Sequence, residues 1–166
     1  MPPPQLRYIL FDWGGTLMSE DGPEGIPMAQ WPEVSAVAGA KATLSVLAKK
    51  FPLGLATNAA ASGRESIEAA LERVSLRPYI SDIFCFREIG ARKDAPEFWA
   101  HVLQALGAEA NEVAMIGDSL EQDVLAPRRQ GIFSVWFNPQ DRQANVYEIP
   151  VVRSLPEVVP LLTKRS

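Results

Sequence analysis

Tyr8-Ile9-Leu10-Phe11-Asp12-Trp13-Gly14-Gly15 joins a short run of large apolar side chains to a carboxylate and then to two glycines. Unbroken apolar residues bounded by turn formers read as a strand buried on both faces, since a half-wet strand would alternate. The glycines let the backbone turn tightly after it. Asp12 thus stands at the lip of an apolar sheet. Residues 53–56, 113–116 and 133–137 have the same form, each bounded by Gly, Asn, Asp or Pro, and 83–86 and 151–152 are candidate edge strands.

Between these runs apolar residues recur at helical spacing: Val37, Leu44, Val46 and Leu47; Ile67, Ala70, Leu71 and Val74; Phe98, Val102, Leu103 and Leu106. Strand and helix alternate. That order predicts an α/β fold, a doubly wound and mainly parallel sheet in one domain over residues 1–166. Residues 156–162 read as a last short helix. Pro2-Pro3-Pro4 reads as an extended exposed tail, and Lys164-Arg165 as a solvated end suited to the helix dipole. Residues 18–33, rich in Gly, Pro and acids, form an irregular flap-like insertion.

Composition narrows the classes. With 47% apolar and 22% charged residues among 166, the chain is a globular protein rather than a disordered, collagenous or coiled-coil one. Sixteen Lys and Arg against 20 Asp and Glu give a net charge of −4, so a nucleic-acid partner is not expected. The single cysteine, Cys85, forms no internal disulfide and reads as a small core side chain. Export and membrane signals are lacking, and the expected location is the cytoplasm.

Ligands bind an open parallel sheet at the carboxyl ends of its strands, where loops and helix N-termini converge. The run 8–11 ends in Asp12, 53–56 in Thr57-Asn58, and 113–116 in Gly117-Asp118, so three strand ends carry polar groups to one rim. Each has a plainer reading. An Asp after a strand is a common turn former, and Thr57-Asn58 would cap a helix starting near Gly63. Lys93 would be a surface lysine, with Arg92 competing for its role, and Asp123 would favour the first turn of a helix.

Taken together, Asp12-Trp13-Gly14-Gly15-Thr16-Leu17, Thr57-Asn58, Lys93 and Gly117-Asp118-Ser119 through Asp123 resemble the haloacid dehalogenase-like hydrolase superfamily, over residues 6–135. The resemblance implies a Mg²⁺-dependent phosphohydrolase in which Asp12 attacks phosphorus and becomes an aspartyl phosphate. It implies Mg²⁺ on Asp12, Asp118 and the Gly14 carbonyl, with Asp123 supporting that set or joining it. Thr57 and Lys93 would grip the non-transferring phosphoryl oxygens, assisted by the Asn58 backbone N–H, and Trp13 would wall the site or mask Asp12. Pro96 fits the family's Lys-Pro-x-Pro pattern after Lys93, with Asp94 departing from it as a candidate N-cap.

Two departures matter. Family phosphatases usually carry a second Asp two residues after the nucleophile, as proton donor to the leaving oxygen and then base for the attacking water; here that residue is Gly14. A positioned acid or base is worth about 10²–10⁴ in rate, so the phosphoenzyme is expected to accumulate. The alternative reading is a weak or inactive fold kept for metal or phosphate binding or for assembly. Secondly, too few residues lie between Leu17 and Val37, or between Asn58 and Lys93, for a cap domain. The substrate is then a phosphorylated macromolecule, or a small phosphorylated molecule covered by a second copy of the chain or by the flap. Glu20, Asp21, Glu24 and Glu33 of that flap read most simply as solvated, and His101 as a helix-surface residue.

Overall fold

The computed structural model describes residue 3 and residues 5–163. The expectations for Pro2, Pro4 and Lys164-Arg165 fall outside the described residues. Six strands, β1 (Tyr8–Phe11), β2 (Leu53–Thr57), β3 (Asp82–Cys85), β4 (Val113–Gly117), β5 (Phe133–Phe137) and β6 (Val151–Val152), form one sheet in the order β3-β2-β1-β4-β5-β6. Every pairing is parallel. The chain winds from β1 out to β3 and then returns to the other side of β1, so the order reverses between β1 and β4. Ligand crevices open at such a reversal.

The pleat explains the uniformly apolar strands. Ile9 and Phe11 of β1 join Leu53, Leu55 and Ile116 in one core, under helices α1 (Ala40–Leu47) and α2 (Arg64–Arg73). Leu10 faces the other way, with Val113 and Met115, onto Phe98, Trp99 and Val102. The latter three belong to α4 (Pro96–Leu106), which follows the single turn α3 (Phe86–Ile89). A six-residue π-helical segment, Leu120–Leu125, runs into α5 (Ala126–Arg129). A capping box of Ser154 and Glu157 starts the final turn, Leu155–Glu157, which leads into α6 (Val158–Thr163). Among the described residues no helix is long and apolar enough to cross a membrane. No separate cap domain interrupts them.

Several local expectations are corrected. The third strand begins at Asp82 rather than 83 and ends before Phe86, because Ser81 N–H already bonds the Leu53 carbonyl and pairing starts at Gly54 with Asp82. Val37 precedes α1, and Val46 is exposed, since the buried stripe of α1 is Ala40, Thr43, Leu44 and Leu47. Asp94 does not cap α4. The N-cap is Ala95, without a side-chain bond, and Pro96 opens the helix with its fixed φ.

Residues 18–33 fold back over the carboxyl rim of the sheet. Met28 and Trp31 are buried in the larger core, and Met18 bridges to Gly14 and to Ala36. From the last turn of α2, Arg73 donates to the carbonyls of Ala29, Trp31 and Pro32 at 3.1, 2.6 and 3.2 Å.

Candidate active site

Asp12, Thr57 and Asp118 arrive together because β1, β2 and β4 are neighbours in parallel register, with Phe11 opposite Leu55 and Ile116. The Asp12 N–H bonds the Ile116 carbonyl, continuing the ladder one residue past the strand. The chain then turns on itself: the Trp13 carbonyl accepts from Leu17 and Met18, and Gly15 N–H bonds Met18 O at 2.7 Å. Gly15 has φ +82°, and a Cβ there would fall 2.6 Å from an Asp118 carboxylate oxygen. Glycine is required on both counts. The turn swings the Thr16 hydroxyl back to within 3.1 Å of Asp12 Oδ2 and 3.3 Å of Asp118 Oδ1, while the Asp118 N–H donates to it.

Lys93 enters from the loop before α4 and is 2% exposed. Its ammonium donates to Asp12 Oδ1 at 2.8 Å, Asp123 Oδ1 at 2.5 Å and the Ala56 carbonyl at 3.0 Å. A buried cation is tolerated only with such partners. Burial opposes its charge, yet Asp12 and Asp123 prevail and hold the Lys93 pKa above the ordinary lysine range. Arg92 stays exposed, while Lys93 reaches the carboxylates. Asp123 is fully buried, and its second oxygen accepts from Ser119 N–H at 3.0 Å. It packs so closely on Gly117 that any Cβ there would overlap it.

The Thr57 hydroxyl accepts the Ala59 N–H, which leaves its own proton to donate into the cavity it lines. Neither Thr57 nor Asn58 caps α2, whose N-cap is Gly63. Asn58 ties loops together, accepting from Lys93 N–H at 2.8 Å and donating to Gln122 at 2.7 Å. Trp13, buried beside Asp12, walls the cavity. Sequence reasoning gave no site role to Thr16, Gln122 or Trp99; Trp99 reads as core or edge packing and is buried in the core, where its indole bonds the Lys93 carbonyl at 2.6 Å. Thr16 and Gln122 each lie four residues beyond a strand-end Asp, a spacing at which a tight loop returns a polar group to its start. Trp99 had no such signal. His101 is exposed on α4 and Cys85 is buried in β3.

Oxygens of Asp12, Asp118 and Asp123 lie within 4.8 Å of one another. Burial first, then the contact with Asp12, pushes the Asp118 carboxyl up to about 8. Burial and the Asp12 charge, against the pull of Lys93, bring Asp123 to about 7. Carboxylates crowded this way are relieved by a divalent cation, and Asp12 with Asp118 offer it hard oxygens of the right kind. The sign of the pH effect follows. Both groups bind protons more tightly folded than at their ordinary value of 3.8, so without metal their contribution is full below that value and is lost as pH rises towards 7 and 8. In chelator the thermal midpoint should therefore fall across that window. Asp118→Asn should flatten the fall, as pH-scanned thermal melts would read out.

The cavity holds about 550 Å³, within the range of small-molecule sites. Its floor is Asp12, Thr57, Lys93 and Asp118, and its far wall is the flap, through Glu20, Glu24, Ile26, Met28 and Trp31. Glu20 is exposed, but partial burial of its carboxyl and then the nearby Asp12 charge raise its pKa, partly offset by Lys93.

A doubly wound parallel sheet with clustered carboxylates and a buried lysine at its reversal point defines an α/β fold with a candidate site at the strand ends. The chain belongs to the haloacid dehalogenase-like hydrolases, whose family model matches residues 28–131. It is 27% identical over 166 residues to the pyrimidine 5'-nucleotidase YjjG of Escherichia coli, covering 96% of this chain and 72% of that protein. It is 31% identical over 110 residues to the ribulose-1,5-bisphosphate 5-phosphatase of Halopiger xanaduensis, covering 66% of this chain and 45% of that protein. An uncharacterized protein from Listeria monocytogenes serotype 4b superposes with a TM-score of 0.81 at 27% identity, over 96% of this chain and 100% of that one.

Proposed function

We propose that this hydrolase cleaves small phosphate monoesters or acyl phosphates through a phosphorylated Asp12. The observation that carries the reading is the buried Lys93 ammonium set between Asp12 and Asp123, beside Asp118, at one strand-end rim. A lone nucleophilic carboxylate would be repelled by a phosphoryl dianion, and a fixed cation removes that barrier without reorganising. Thr57 and Lys93 hold the non-transferring oxygens, and Asn58 keeps the Lys93 backbone and Gln122 in register. Mg²⁺ is the cation we assign to Asp12, Asp118 and the Gly14 carbonyl. Bound there, it neutralises phosphoryl charge and orients the ester. Asp123 acts mainly through Lys93, since both its oxygens already accept protein N–H bonds. The names of the two curated relatives, a nucleotidase and a sugar-phosphate phosphatase, support a phosphate-ester substrate.

The cavity volume favours a small ester, with residues 18–33 as its cover in place of a second copy of the chain. Gly14 favours the rival reading, a phosphate-binding module without turnover. Phosphate release from a panel of esters, with Mg²⁺ and with chelator, separates the two. The hydrolase should release phosphate only with Mg²⁺, and Asp118→Asn should abolish that release. A chain that binds phosphate and releases none from any ester is the module.

A further inference from the structure

The flap places one acid where the chemistry lacks one. A Cβ built on Gly14 would lie 2.3 Å from Glu20 Oε1 and 3.1 Å from Glu20 Cδ, so the Glu20 carboxyl fills the volume that a side chain at position 14 would take. The placement is held from both sides. Met18, two residues earlier, accepts from Gly15 N–H, and Ser19 N–H bonds the Ser35 carbonyl at 2.9 Å. Glu20 shares the cavity with Asp12, Thr57 and Lys93. Among the described residues its carboxylate has no hydrogen-bond or ion-pair partner, whereas Asp21 beside it takes the Ser19 hydroxyl at 3.2 Å. An exposed, unengaged carboxyl on the cavity that Asp12 lines, set against a residue too small to exclude it, is placed to give and take a proton there.

We propose that Glu20 is the general acid and base of this hydrolase, reaching from the flap to do what a carboxylate two residues after Asp12 would do. The inference rests on the phosphoryl-transfer reading above. In the first step an Asp12 oxygen bonds to phosphorus, the ester P–O bond breaks, and the leaving oxygen takes the Glu20 proton. In the second, water gives a proton to the Glu20 carboxylate as its oxygen bonds to phosphorus. The bond from phosphorus to Asp12 then breaks, which returns phosphate, a free Asp12 carboxylate and protonated Glu20. The intermediate that Gly14 alone would leave stranded is thereby resolved. Glycine at 14 and glutamate at 20 form one device, because any side chain at 14 would displace the carboxyl.

The test compares an alkyl and an aryl phosphate in the full chain with Mg²⁺, following phosphate release and, by mass spectrometry, phosphoryl attached to the protein. Glu20→Gln should slow alkyl phosphate turnover by about 10²–10⁴, while the aryl ester still phosphorylates Asp12 and the adduct now accumulates. Gly14→Asp with Glu20→Ala, which clears the space, should recover turnover. Wild-type rates in Glu20→Gln, an equal loss on both esters without adduct, or the same ester-dependent loss in Glu24→Gln would each overturn the role of Glu20 and leave the phosphatase reading standing. Absence of both release and adduct in the wild-type chain would overturn the two together.

Discussion

Replacing Lys93 with methionine is expected to lower the unfolding free energy by about 3–5 kcal/mol, the cost of stripping a buried charge pair of one partner. Methionine keeps the length and fills the volume, but Asp12 and Asp123 then face each other with no cation between them. For a chain of this size the thermal midpoint should drop by roughly 6–20 °C, at about 2–4 °C per kcal/mol. Denaturant melts in chelator would measure it. The double variant Lys93→Met with Asp123→Leu should regain much of the loss, since removing both buried charges is often close to neutral. Neither variant should transfer phosphate. If Lys93→Met melts with the wild type, the ion-pair cluster contributes nothing to the fold.

Asp12→Asn carries the second large effect, and it falls on chemistry rather than stability. The amide oxygen still accepts from Lys93, and the amide NH2 that replaces Oδ2 donates to the Thr16 hydroxyl oxygen, so the turn from Trp13 to Met18 keeps its anchors. An amide does not attack phosphorus. Turnover should fall by about 10⁴-fold or more, the scale seen when a side-chain nucleophile is removed. Mass spectrometry after mixing with an aryl phosphate should find no phosphoryl adduct. An adduct that persists in this variant would move the nucleophile to another residue.

The fold was legible because its strands announce themselves by composition alone. A run such as Ile9-Leu10-Phe11 has no polar face, and only a sheet covered on both sides accommodates that. Positions at helix margins were less legible. Val46 looks apolar in sequence, but it sits two residues after Leu44 and one before Leu47, off the i, i+3, i+4 stripe of Ala40, Thr43, Leu44 and Leu47, and so faces outward. Asp94 failed as a cap because Pro96 fixes the first turn and leaves Ala95 in the capping place. At the site, strand-end residues were readable from the rule that polar groups gather there. Glu20 was not, because an acid in an irregular segment carries no period, and its distance from Gly14 is a property of how residues 18–33 fold back.

Arg73 holds that segment by a single guanidinium spanning three carbonyls, 41 to 44 residues away in sequence. Rotation of that one side chain would hand all three carbonyls to water together, because they share one guanidinium. The segment is therefore pinned in two ways, by one arginine at its rim and by Met28 and Trp31 packed in the core. Relaxation measurements on its amides should show one shared exchange rate. Any route that loads or empties the cavity through this wall needs the arginine and those two buried side chains to give way together.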